Sequence, residues 1–95
     1  MNEQSNIIFI EQELTFESVN RDYKKILSSI NKVDATDITI NLSRVAHIDS
    51  AGIALLIQLV RDLQKKNYNF SFVDIPEKMR GLIGFFKLSE VFALN

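Results

Sequence analysis

The stretch Asn41–Val60, NLSRVAHIDSAGIALLIQLV, decides the fold, because the hydrophobic period changes inside it. Just before and into it, Ile38, Ile40 and Leu42 alternate with Thr39, Asn41 and Ser43, the period of a strand. After Ile48 the apolar residues recur every three or four positions, the period of a helix. The change falls on Asp49 and Ser50. Both side chains accept hydrogen bonds from the free N–H groups of a first helical turn, and Gly52 lets another surface approach that turn closely. A strand that passes through a small hydroxyl into a helix marks a site, or at least a cap.

Working outward, the helix is expected from Ser50 to about Lys66, where Lys65, Lys66 and Asn67 supply a cationic last turn and a left-handed stop. At about 100° per residue, Gly52, Leu55, Leu56, Leu59, Val60 and Leu63 share one face. Ile53 and Ile57 fall on its flank, beside Arg61 and Gln64. This surplus of apolar surface fits either a helix sunk deeply between its neighbours or a flank that meets a partner.

Upstream, Ile7–Ile10 reads as an edge strand running into a turn over Glu11–Thr15, with the first five residues frayed. Val19, Tyr23, Ile26, Leu27 and Ile30 then form a helical stripe ending near Asn31, with Arg21, Asp22, Lys24 and Lys25 toward water. Asp34–Asp37 connects this helix to the strand Ile38–Leu42, which is expected at the centre of the sheet, and Val45 and Ile48 return to the core. Downstream, Phe70, Phe72 and Asp74 alternate with Ser71 and Val73 as a further strand. Asp74, Pro76 and Glu77 open a third helix, with Asp74 as its cap. Met79, Leu82, Ile83 and Phe86 are its expected core stripe, with Gly81, Gly84 and Phe85 elsewhere, and two glycines leave it dependent on tertiary support. Leu88–Leu94 is apolar and fits a strand or a helical turn. Strands alternating with helices define an α/β fold: a single domain over residues 1–95, a small mixed sheet with right-handed crossovers, and helices packed against it.

Composition removes several function classes. The 95 residues are 46% apolar, enough for one modest core. Eleven basic and twelve acidic residues, spread along the sequence, leave a formal charge of −1 and no sequence-level basic cluster for nucleic acid. No cysteine is present, which excludes disulfides, thiolate zinc sites and thiol catalysis. His47 is the only histidine, so a histidine pair for metal is unavailable, and Ser50 has no base that the sequence places beside it. His47 reads as an exposed loop residue flanking the Asp49–Gly52 turn. Most of the seven phenylalanines fall at core spacing, which argues against a hollow lipid pocket in so small a domain. No Gly-rich loop with Lys-Ser or Lys-Thr is present, so P-loop nucleotide binding is not expected. The longest apolar run, Ile53–Ile57, is far below the roughly 20 residues of a membrane span, and no signal-peptide pattern opens the chain, so a cytoplasmic location is expected.

The run LSRVAHIDSAGIALLIQLVRDLQKK, followed by a short strand, a Pro-started helix and the tail L-S-E-V-F, resembles the STAS domain, the sulphate-transporter and anti-sigma-antagonist family. The resemblance covers nearly the whole chain. Within the family it is most similar to the MlaB type, because Ile-Ala-Leu-Leu-Ile follows Gly52 where antagonists usually carry a further glycine, and because the N-terminal strand region is short. It implies β-strands with helices on one side and a recognition edge on the helix starting at Ser50.

Carried over by position, the resemblance makes Ser50 the hydroxyl that antagonists have phosphorylated and that MlaB-type subunits use to touch their ATPase, with Asp49 the acidic position before it. A phosphate there would be tolerated by the helix N-terminus but would add up to about two negative charges beside Asp49. Ser50 as a plain cap is the alternative, worth on the order of 1 kcal/mol. The partner-binding residues implied are His47, Asp49, Ser50, Ala51, Gly52, Ile53 and Ile57, with no catalytic, cofactor or metal role. The implied function is that of a non-catalytic cytoplasmic subunit binding an MlaF-like ABC-transporter ATPase, and through it the permease, at the inner membrane, in phospholipid trafficking that maintains outer-membrane lipid asymmetry. Neither nucleic acid nor direct membrane insertion is expected. The alternative is an anti-sigma factor antagonist switched by phosphorylation of Ser50.

Overall fold

The computed structural model describes residues 6–10, 13–32 and 36–92, leaving out the side chains of Val19 and Asn20. The expected fraying of residues 1–5, residues 11 and 12 of the first turn, residues 34 and 35 of the 34–37 connection, the Val19 position in the stripe and the end of the tail lie outside this description.

Six elements alternate along the chain: β1 (Ile7–Phe9), α1 (Val19–Asn31), β2 (Asp37–Asn41), α2 (Ser50–Lys65), β3 (Asn69–Val73) and α3 (Glu77–Phe85). The strands form one sheet in the order β1-β2-β3. Ile8 pairs with Ile40 and Ile40 with Phe72, and both pairings are parallel. The mixed sheet expected from sequence is thus parallel at every pairing among the described residues. β2 takes the central place that its apolar alternation called for, and Ile38 and Ile40 are both buried.

Both crossovers step the same way across the sheet, so α1 and α2 cover the same face. α2 packs between α1 and α3. The side chains of Ile8, Ile10, Ile38, Ile40, Leu42 and Phe72 meet Ile26, Ile30, Leu56, Leu59, Leu63, Met79 and Ile83 in one core. The opposite face of the sheet is more polar and open, with Asp37, Asn69 and Ser71 exposed and Phe9 lying beneath the Arg44 guanidinium, 4.0 Å from the ring centre.

Helix ends follow local chemistry. Asn67 takes the left-handed conformation, φ 61°, and Tyr68 N–H donates to the Leu63 carbonyl at 3.0 Å, closing α2. Lys87 does the same after α3, φ 58°, with Leu88 N–H donating to Ile83 at 2.8 Å.

Several expectations are corrected. Asp22 does not face water; it is fully buried, its Oδ1 accepting from Arg21 Nε at 3.1 Å. Asp74 does not cap α3. It is held at φ 52°, accepts from Asn41 Nδ2 at 2.8 Å, and leaves Pro76 at the N-cap with no side-chain bond. Phe86 leaves the α3 core stripe, which is reduced to Met79 and Ile83 with Leu82 at its margin, because the helix ends there. Phe9, Phe16, Phe85 and Phe86 are exposed, so most of the phenylalanines are not core residues. The tail is a turn that buries Phe92 against Phe72, ring centres 5.3 Å apart.

Candidate functional site

The site grows from the junction of β2 and α2. After β2 the chain sets Val45 and Ile48 in the core, and Ile48 pairs with Leu14 in an isolated parallel bridge. Leu14 N–H donates to the His47 carbonyl at 2.8 Å, and Asp49 N–H donates to the Leu14 carbonyl at 3.1 Å. The start of α2 is therefore clamped to the segment that precedes α1. Gly52 makes this possible, since a Cβ there would stand 2.0 Å from the Leu14 carbonyl oxygen. The surface that approaches Gly52 is the chain's own, and this buried glycine does not belong to an exposed edge.

Asp49 is the N-cap, in extended conformation, and its Oδ1 accepts from Gly52 N–H at 3.1 Å. Its Oδ2 accepts from Phe16 N–H at 3.0 Å. These backbone donors, Phe16 above all, hold the Asp49 carboxyl below the usual carboxylate range against the opposing effect of partial desolvation. Ser50 is the first helical residue rather than the cap, is exposed, and its hydroxyl makes no hydrogen bond among the described residues. Capping by Asp49 thus leaves the Ser50 hydroxyl available at a helix N-terminus.

Next to Ser50 lies an apolar groove of about 340 Å³, lined by Ser50, Ile53, Ala54, Ile57, Phe86 and Leu88. α2 supplies one wall and the end of α3 the other. Ile53 is only 2% exposed and forms part of the groove as a core residue, which corrects its expected place off the core stripe. Ile57 is half-buried, as is Ala51, and His47 is exposed in the loop before the site. Two features were missed from sequence. Phe85 and Phe86, 79% and 43% exposed, stand edge to face with ring centres 5.3 Å apart at the groove's α3 side. Phe16, 80% exposed, stands on the loop bound by Asp49. Adjacent aromatics on one helix cannot both face the core, a signal the sequence did contain; nothing in the pattern around Phe16 placed it.

A second polar contact ties α1 to α2. The Tyr23 hydroxyl donates to Asp62 Oδ2, and Gln58 Nε2 donates to Asp62 Oδ1 at 3.1 Å. Burial, then the Asp62 partner, pushes the Tyr23 hydroxyl well above its ordinary range, while that same hydroxyl holds the Asp62 carboxyl down. Among the described residues no cluster of His, Asp and Glu is placed to hold a metal ion. No helix among them is long and apolar enough to cross a membrane.

A three-stranded parallel sheet with its helices on one face, and an exposed hydroxyl at the N-terminus of the central helix, define a small α/β domain with an open apolar groove beside that hydroxyl. The chain belongs to the STAS domain family, whose model matches residues 1–95. It is 37% identical over 65 residues to the intermembrane phospholipid transport system binding protein MlaB of Haemophilus influenzae, a match covering 68% of this chain. That match spans 62% of the relative's own length. The fold is similar to a solved structure of the anti-sigma factor antagonist SpoIIAA in its unphosphorylated form, with a TM-score of 0.58 and 25% identity over 83% of this chain and 72% of that one.

Proposed function

We propose that this chain is a non-catalytic accessory subunit that docks on the ATPase of an ABC transporter for intermembrane phospholipid trafficking, and regulates or stabilises it from the cytoplasmic side of the inner membrane. The observation that carries the reading is the apolar groove beside the free Ser50 hydroxyl. Exposed aromatics flanking a small apolar depression are the composition of a binding hot spot. The likeness to a protein named for phospholipid transport supports the choice of partner. Asp49, Ser50, Ala51, Ile53 and Ile57 form the docking edge, with His47 at its rim and the MlaF-like ATPase, joined to its permease, as the partner.

Ser50→Glu or Ile57→Asp is expected to abolish co-purification with the ATPase while circular dichroism remains that of the folded domain. Retained capture by both variants rules the reading out.

The likeness to an anti-sigma factor antagonist solved in its unphosphorylated form supports a second reading, an anti-sigma factor antagonist switched at Ser50. It requires stoichiometric phosphate on Ser50 after incubation with a cognate kinase, read by mass spectrometry.

A further inference from the structure

The charges that are spread along the sequence are segregated in the fold. α1 carries Arg21, Lys24 and Lys25, α2 carries Arg61 and Lys65, and the C-caps are Lys32 and Lys66. All seven of these basic residues are exposed, out of eleven in the chain. The two helices hold only two carboxylates, both engaged: Asp22 is buried under Arg21, and Asp62 is taken by Tyr23 and Gln58 between the helices. The other described residues include four basic ones against seven acidic ones.

Helical spacing puts these cations on one surface. Arg21, Lys24 and Lys25 lie opposite the buried Asp22, Ile26 and Ile30, and Arg61 and Lys65 lie opposite the buried Leu56, Leu59 and Leu63. The Tyr23–Asp62 contact sets the helices side by side, so both rows point outward from the same layer. An ordinary solvated helix face mixes charges at i and i+4. Arg21 with Asp22 is the one ion pair at contact distance among the described residues; Lys65 and Lys66 act on Asp62 from farther off, so seven cations on this face meet two carboxylates.

We infer that the outer face of α1 and α2 adsorbs to an anionic lipid surface, without insertion. Charge complementarity selects this partner. The face is mostly lysine, whose point charge suits diffuse headgroup charge, whereas arginine forks suit fixed phosphates. Tyr23, the aromatic residue of α1, is half-buried and bonded to Asp62, so a platform for stacking nucleic-acid bases is missing there. The groove at Ser50 opens on the α3 side of α2, away from this face. The inference therefore goes beyond the docking reading and does not require it.

The full chain is mixed with sedimenting vesicles of phosphatidylglycerol and phosphatidylcholine in equal parts, and with vesicles of phosphatidylcholine alone. Binding is expected to the first only and to fall steeply with added salt, as screening shortens the reach of each charge. The triple variant Lys24→Gln, Lys25→Gln, Lys65→Gln is expected to bind the anionic vesicles about a hundredfold more weakly, at roughly one unit of charge attraction lost per site. Ser71→Glu, which adds a negative charge on the opposite face of the sheet, is expected to bind them as the natural chain does. Equal binding to both vesicle types, no binding to anionic vesicles at low salt, or unchanged binding by the triple variant with its circular dichroism intact would overturn the inference. Preferential release from the vesicles by RNA at equal phosphate concentration would overturn it in favour of nucleic acid. The triple variant should still capture the ATPase, which separates this surface from the groove.

Discussion

The Phe16 amide donates to Oδ2 of Asp49 at 3.0 Å, across 33 residues of sequence, while Oδ1 of the same carboxylate accepts from Gly52. One side chain thus fixes the start of α2 and the loop that carries the exposed Phe16 ring. The aromatic and the Ser50 hydroxyl are set on either side of a single anchor.

Replacing Asp49 by Ala is expected to cost about 2 kcal/mol, from a lost N-cap of ~1 kcal/mol and a second backbone bond of similar worth. Urea denaturation measures it. The sign of the pH dependence follows from the lowered folded-state pKa. The contribution is full above the unfolded carboxylate value, about 3.9, and disappears as pH falls through the lower folded value. Acid titration of stability should therefore be shallower in Asp49→Ala. A parallel fall in both proteins would show that this carboxylate is not held down by folding.

Two glycines make opposite predictions. A methyl group at Gly52 meets the Leu14 carbonyl oxygen at 2.0 Å, so Gly52→Ala must part α2 from the Leu14–Ile48 bridge, at a cost of about 3 kcal/mol or loss of folding. Gly81, inside α3, has nothing within 4 Å of the same added atom. Gly81→Ala is expected to raise stability by roughly 0.5–1 kcal/mol through helix propensity. Melting temperatures of the two variants should move apart.

The junction at Ser50 was legible because a strand period and a helix period cannot overlap, and Asp49 marks where one yields to the other. The choice of cap was not. Asp49 and Ser50 are adjacent and both cap-competent, and only the extended backbone of Asp49 decides between them. Asp22 was misread because its charge was weighed above its position: it stands four residues before the buried Ile26 and eight before Ile30, on the same helical face. Ile53 lay off a stripe drawn for one contact. In the fold α2 is flanked on both sides, by α1 and by α3, which widens its buried arc. The groove wall came from Phe86 and Leu88, whose placement depends on the left-handed Lys87 that ends α3.

Phe16 offers a large apolar ring to solvent, and Phe86 is partly covered by its contact with Phe85. Phe16→Ser is expected to change stability by no more than about 0.5 kcal/mol, and Phe86→Ser by about 1 kcal/mol, which leaves both folded. Under the proposed docking function, each should weaken ATPase capture at least about tenfold, since aromatic anchors dominate interface energies. Surface plasmon resonance against the immobilised ATPase separates the two effects; unchanged affinity in both variants would move the contact away from the Ser50 groove.

Phe92 is the reverse case, an aromatic ring in an irregular turn that is only 3% exposed. Its ring meets Phe72 edge to face at 5.3 Å, and Phe72 in turn meets Phe70 at 6.0 Å, so the turn after α3 closes the apolar row of β3. Truncating a buried phenylalanine to alanine costs about 3–5 kcal/mol where the surroundings cannot collapse. A turn relaxes more readily than a sheet, so Phe92→Ala should fall at the low end, about 3 kcal/mol, and Phe72→Ala on β3 at the high end. Because the two rings share one contact, the double variant should lose less than the two single losses added together. Chemical denaturation of the four proteins in the cycle measures that coupling, and strict additivity would mean that the C-terminal turn does not pack on β3.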